Sequence, residues 1–191
     1  MARGKSEDKR NAILEAATQV FAERGLGAPT AAISKAAGVG EGTLFVYFKT
    51  KDELVNALYR ELKLELADAM MSSFPRRTSV RNRLHHVWER YVIWGADNPL
   101  QQRVLKQVES SGLLTEESKC AGLGPFAEIQ TMVEDALEQR LLRDLPEPLI
   151  QQTLVAMAEA AMEFGRTSPE EAAKYREAAF EIFWMGVTRA G

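Results

Sequence analysis

Between positions 36 and 42 the chain reads Ala-Ala-Gly-Val-Gly-Glu-Gly, and this run leaves little freedom in how its flanks can fold. Residues 30–37 and 41–48 read as two short helices joined at Gly38-Val39-Gly40. Gly38 can take the positive φ that a sharp turn demands, and Gly40 is tolerated as an N-cap. Ala36 and Ala37 are small enough for the second helix to cross close by, and Val39, Leu44 and Phe48 fit as the wedge between the two. The pattern predicts either an ordinary helical hairpin buried in a bundle or a helix-turn-helix whose second helix can enter a DNA major groove. In the second reading the outward side chains of that helix are Glu41, Gly42, Thr43, Val46 and Tyr47, short or amphipathic groups suited to base edges and phosphates.

The rest of the chain also reads as helix. Ala, Leu, Glu, Gln, Arg and Met dominate, all of which lose little freedom in a helix, and no alternating strand pattern occurs. With 46% hydrophobic and 27% charged residues in 191, the chain can bury a core. A first helix is expected from Glu7 to Arg24, capped by Ser6, carrying an apolar stripe of Ile13, Ala17, Val20 and Phe21 and closed by Gly25. Thr50-Lys51-Asp52-Glu53 has the form of a capping box and opens a long helix through Leu54, Leu58, Leu62 and Leu66. Helices are then expected over 80–97, 100–111, 115–143 (interrupted near 122–125), 146–164 and 168–189, the last opened by a second capping box at Ser168–Glu171. The expectation is an all-α fold of about nine helices. Residues 7–66 would form an N-terminal three-helix unit holding the motif at about 30–49, and 67–191 a larger helical unit.

Charge agrees with that division. The net charge is −3, yet residues 1–51 hold eight Lys and Arg against five acids, an excess of +3, so the remainder carries −6. No apolar run approaches a membrane span, and the polar start Met1–Asp8 does not resemble a secretory signal. The single cysteine, Cys120, precludes an internal disulfide and fits a reducing cytoplasm. The only histidines, His85 and His86, are adjacent and point about 100° apart on a helix, so they cannot jointly bind one metal there. No Cys–His pairing, phosphate-cradling glycine loop or metal-ligand helix motif occurs, so no catalytic residue, metal or cofactor is expected and an enzyme is disfavoured.

The ordered run Ile13-Leu14-Glu15-Ala16-Ala17 … Phe21 … Gly25, Ile33 … Ala36–Phe48 and Lys51-Asp52-Glu53-Leu54 resembles the N-terminal signature of TetR-family regulators. The resemblance covers about residues 8–58. It implies a homodimeric, all-α transcriptional regulator, by family norm a repressor, whose N-terminal domain binds a near-palindromic double-stranded DNA operator. The larger domain would hold a small-molecule effector that releases the DNA. By the resemblance, Glu41, Gly42 and Thr43 fall where base contacts are made, Thr30, Tyr47 and Lys51 where phosphates are contacted, and Gly40 and Phe45 complete the DNA-facing set. Phosphate contacts position such a protein, whereas base contacts specify sequence. Glu41 can accept from a cytosine amino group, or stand as a surface residue that touches no base. Two positions depart from the family pattern: Phe45 replaces a frequent tyrosine, and Ala28-Pro29-Thr30-Ala31-Ala32 lacks the usual capping box. The alternative is a helical ligand-binding or interaction protein without operator binding.

In the larger unit Trp88, Tyr91, Trp94, Phe126, Met132, Met157 and Phe164 are candidates for a pocket lining. Such large, soft side chains suit an apolar or aromatic effector, although each also suits a packed core. The last two helices are the expected dimer surface, with Leu154 and Ala158 on one and Phe180, Phe183 and Trp184 on the other.

Overall fold

A computed structural model describes residues 2–189, with side chains from Ser6 to Arg189. The charges of Arg3 and Lys5 in the N-terminal tally therefore lie outside the described residues. The regular structure of the described residues is helical, with no β-strand and one isolated bridge between Leu142 and Thr188. None of their helices is long and apolar enough to cross a membrane. The helices are α1 (Ala2–Arg24), α2 (Thr30–Ala36), α3 (Glu41–Tyr47), α4 (Lys51–Met71), α5 (Val80–Asp97), α6 (Pro99–Ser110), α7 (Glu116–Leu123), α8 (Ala127–Glu138), α9 (Glu147–Thr167) and α10 (Ala172–Val187).

Four boundaries differ from the sequence reading, one of them the end of α9, which runs past 164 through Gly165 to Thr167. Helix α1 begins ahead of Glu7, so Ser6 lies inside it and does not cap it. Helix α8 stops at Glu138 because Arg140 adopts a left-handed φ of 57°. The second capping box does not form: Pro169–Glu171 is a 3-10 turn, and Ser168 makes no side-chain cap. The Glu171 carboxylate is instead held by Lys174 at 2.8 Å and the Tyr175 hydroxyl at 2.9 Å, which together lower its pKa.

The chain forms two compact units, which meet in sequence between Glu65 and Leu66 within α4. The first contains the residues up to Glu65 together with Asn98–Gly124. Its core gathers Ile13, Ala17 and Phe21 of α1, Ile33 of α2, Leu44 of α3, Phe48 and, from α4, Leu54, Val55, Leu58 and Leu62. Burying each large side chain contributes about 1.5–3 kcal/mol. Residues 98–124 belong here despite their place after α5 in the chain. Helix α6 packs on α1, burying Val104 and Val108, and Arg103 donates to the Ala22 carbonyl at 3.4 Å. Asn56, buried in α4, donates to the Asp52 and Leu113 carbonyls and accepts from the backbone N–H and hydroxyl of Thr115. Arg60 donates to the buried Ser118 hydroxyl at 2.6 Å. At Gly122 the Tyr59 ring lies where a Cβ would be 2.4 Å away, so only glycine fits without the ring moving.

The second unit contains Leu66–Asp97 and the residues from Pro125 onward. Helices α9 and α10 pack on each other and on α5. Their core is aromatic. Trp88 is fully buried, nearly parallel to Phe183 with centroids 6.3 Å apart and tilted against Phe180 at 5.9 Å. The Trp88 indole N–H donates to the Arg176 carbonyl at 3.2 Å, satisfying the polar end of this buried ring. His85 sets its edge on Phe180 at 4.6 Å and its Nε2 lies 2.8 Å from Glu177.

Candidate nucleic-acid interface

The site is built on the turn between α2 and α3. Helix α2 ends with Ala37 bonded to the Ile33 carbonyl, and Gly38 then takes φ 66°, as its place in the sequence requires. Gly40 is the N-cap of α3, in extended conformation at φ −68°, and its carbonyl accepts from the N–H groups of Thr43 and Leu44. Leu44 and Phe48 are buried beneath α3 and Val39 is half-buried beside them, so the inner face of the short helix is fixed to the core.

The outer face is consequently exposed. Glu41, Gly42, Phe45 and Val46 stand in solvent, Val46 at 68% exposure, while Thr43 and Tyr47 are half-buried at the edges. Thr30, the first residue of α2, donates its hydroxyl to Glu41 Oε1 at 2.9 Å, joining the starts of the two helices. The Tyr47 hydroxyl lies 3.3 Å from Ser6 Oγ. Lys51, half-buried at the start of α4, places its ammonium 5.9 Å from the centre of the Phe21 ring. The cap of α4 is formed by Thr50, whose hydroxyl accepts from the Glu53 N–H at 3.0 Å. Glu53 reaches back to the Lys49 N–H at 2.7 Å. Only half of the expected capping box forms, since the Glu53 carboxylate reaches past Thr50 to the Lys49 N–H, and the two bonds together fix the entry to α4 and thereby the position of Lys51.

The eight residues expected at the interface thus sit on one stretch, from the start of α2 to the start of α4, with Thr30 and Glu41 in direct contact. Ser6 is a partner that the sequence reading did not single out, because 41 residues separate it from Tyr47. Further along α4, Glu65 has a raised pKa. Partial desolvation is the main cause, followed by the carboxylates of Glu61 and Glu15. Arg10 faces Glu61 at 3.4 Å and offsets part of that acidic cluster.

In the second unit the expected pocket residues are not equivalent. Trp88, Trp94 and Met132 are buried, Tyr91, Phe126 and Met157 are half-buried, and Phe164 is 55% exposed and stacked on Tyr175 at 5.3 Å. Phe164 therefore faces outward and lines no interior cavity. An open cleft of about 510 Å³ lies elsewhere, between Arg143, Asp144, Leu145, Met185, Thr188 and Arg189. Of the expected dimer residues, Phe180, Phe183 and Ala158 are buried within the subunit, and Leu154 and Trp184 are half-buried. Phe180 and Phe183 fill the space around Trp88, so they have no surface to offer a second chain. The large apolar side chains that α9 and α10 expose are Leu149, Phe164, Ile182 and Met185.

A short helix clamped from below, exposed along its outer face and led into by a glycine turn is the reading head of a helix-turn-helix DNA-binding protein. Comparison with known proteins is specific about which kind. Residues 13–58 match the family model for bacterial regulatory proteins of the tetR family. A tetR family transcription regulator from Shewanella sp. PV-4 is 30% identical, with a TM-score of 0.85 over 95% of this chain and 99% of that one. A second, from Marinobacter aquaeolei VT8, is 25% identical, with a TM-score of 0.89 over 98% of this chain and all of that one. The uncharacterized HTH-type transcriptional regulator YhgD of Bacillus subtilis strain 168 is 36% identical over 89 residues, a match spanning 44% of this chain and 47% of that protein. The chain belongs to the TetR family and is a DNA-binding transcriptional regulator.

Proposed function

We propose that the protein acts in the cytoplasm as a homodimeric repressor that binds a near-palindromic operator through α3 and releases it when a small apolar or aromatic effector binds the larger unit. The observation that carries this reading is the exposed outer face of α3 over the buried Leu44 and Phe48. Glu41, Gly42 and Thr43 are assigned to the bases, with Tyr47 and Lys51 assigned to phosphates. The exposed apolar side chains of α9 and α10 supply a surface for a second copy of the chain. The two buried tryptophans of α5, Trp88 and Trp94, place intrinsic reporters in the unit assigned to the effector.

The test begins with selection of DNA from a random pool by the purified protein. Titration of the selected duplex with Tyr47→Ala and Lys51→Ala variants follows. Each loss of a phosphate contact should weaken binding about equally on all sequences. Binding unchanged in both variants would remove those residues from the interface. Tryptophan quenching by a panel of apolar and aromatic compounds, paired with release of the selected duplex, tests the effector class.

A further inference from the structure

We propose that Thr30 is a positioning residue for base recognition: its hydroxyl aims the Glu41 carboxylate at the amino group of one cytosine in each half-site. The proposal rests on α3 being the helix that reads the groove. It replaces the phosphate contact that the family resemblance implies for Thr30.

A threonine hydroxyl has one hydrogen to donate. Here that hydrogen points to Glu41 Oε1 at 2.9 Å. Carboxylates and phosphates are both acceptors only, so one hydroxyl cannot donate to both. The bond engages a single oxygen of the carboxylate. Glu41 has no second partner among the described residues, which leaves Oε2 open as an acceptor. A long exposed side chain held in one orientation has less freedom to lose on binding.

The composition of α3 narrows what this acceptor can meet. Its seven residues, Glu-Gly-Thr-Leu-Phe-Val-Tyr, include no Arg, Lys, Asn or Gln, the side chains that read purines by paired hydrogen bonds. The major-groove partner of a carboxylate is the cytosine N4 amino group. Gly42 supplies an independent sign of close approach. A Cβ there would meet nothing within 4 Å, and its φ is not in the left-handed region, so nothing within the subunit calls for glycine. A glycine inside a helix is disfavoured. Beside Glu41 it leaves open the space that an approaching base edge would fill.

The experiment compares wild type, Thr30→Val, Thr30→Ser, Glu41→Ala and the Thr30→Val/Glu41→Ala double variant. Each is titrated against the pool-selected duplex and its single-base substitutions. Wild type should prefer cytosine at one position per half-site by at least about fivefold, the lower end for a specific base contact. Glu41→Ala should lose that preference. Thr30→Val should lose it at the same position and no other, and Thr30→Ser should restore it. The double variant should be no worse than Glu41→Ala alone, as expected of residues acting through one contact. A Thr30→Val variant that binds every sequence more weakly by one common factor, with base preferences intact, would make Thr30 a phosphate contact and overturn the proposal. Retention of every cytosine preference in Glu41→Ala would also overturn it. If wild type enriches no sequence at all, the assignment of α3 as the reading helix falls, and this proposal falls with it.

Discussion

Gly42 shows how a single residue can be poor for the fold and suited to the task. It lies inside a seven-residue helix where an alanine would meet no neighbour. Gly42→Ala should therefore raise the melting temperature, with a gain of roughly 0.5–1 kcal/mol. The same variant should bind the selected duplex more weakly, because its methyl group occupies the approach to the bases. A melt and a titration on one preparation read both effects, and a variant that gains stability with undiminished affinity would show that no base edge comes near. Gly38 and Gly122 are different cases. Gly38 was legible in the sequence because a turn between adjacent helices makes a local demand for positive φ. Gly122 was not, because the ring that excludes a side chain there belongs to Tyr59, far away along the chain. The same separation hid the Ser6–Tyr47 contact, whereas the Thr30–Glu41 bond joins neighbouring helices and depends on how α2 and α3 cross.

At the level of elements, a cap or turn was readable where the signal and its partner lie within a few residues and no nearby group competes for either. Thr50 caps the Glu53 N–H as their spacing suggests, while the Glu53 carboxylate takes the Lys49 N–H instead of that of Thr50. Thr50→Ala should cost about 1 kcal/mol of stability, measurable by chemical denaturation. It should also weaken DNA binding, since the cap fixes Lys51; equal affinity would mean that Lys51 is placed by its packing on Phe21 alone. Ser168 and Glu171 have the same spacing, yet Glu171 is drawn forward to Lys174 and Tyr175. A spacing rule cannot anticipate that competition. Helix α10 shows a second limit. Its segment Phe180-Glu181-Ile182-Phe183-Trp184-Met185 is apolar on more than one face, so periodicity identifies a sticky helix without saying which face meets the core. The aromatic demand of Trp88 decides it: Phe180 and Phe183 turn inward, leaving Ile182 at 58% and Met185 at 66% exposure.

For the whole molecule, that choice of face bears on assembly. Ile182 and Met185, with Leu149 and Phe164 on α9, are the proposed contact with a second copy. Ile182→Asp combined with Met185→Asp should yield a monomer in sedimentation at micromolar concentration. The subunit core should stay intact, since neither side chain belongs to it. Affinity for a two-half-site duplex should fall toward that for a single half-site. A variant that still sediments as a dimer would move the interface off this face. Asn56 carries a different consequence. Its one side chain uses both donors and its carbonyl oxygen at once, on the Asp52 and Leu113 carbonyls and on Thr115. The stretch around Thr115 can therefore detach only by surrendering several bonds together. In amide hydrogen–deuterium exchange, the Thr115 N–H should be protected to the same degree as the body of α4, although it lies in a connection on the surface. Asn56→Ala should raise its exchange to the rate of a frayed loop.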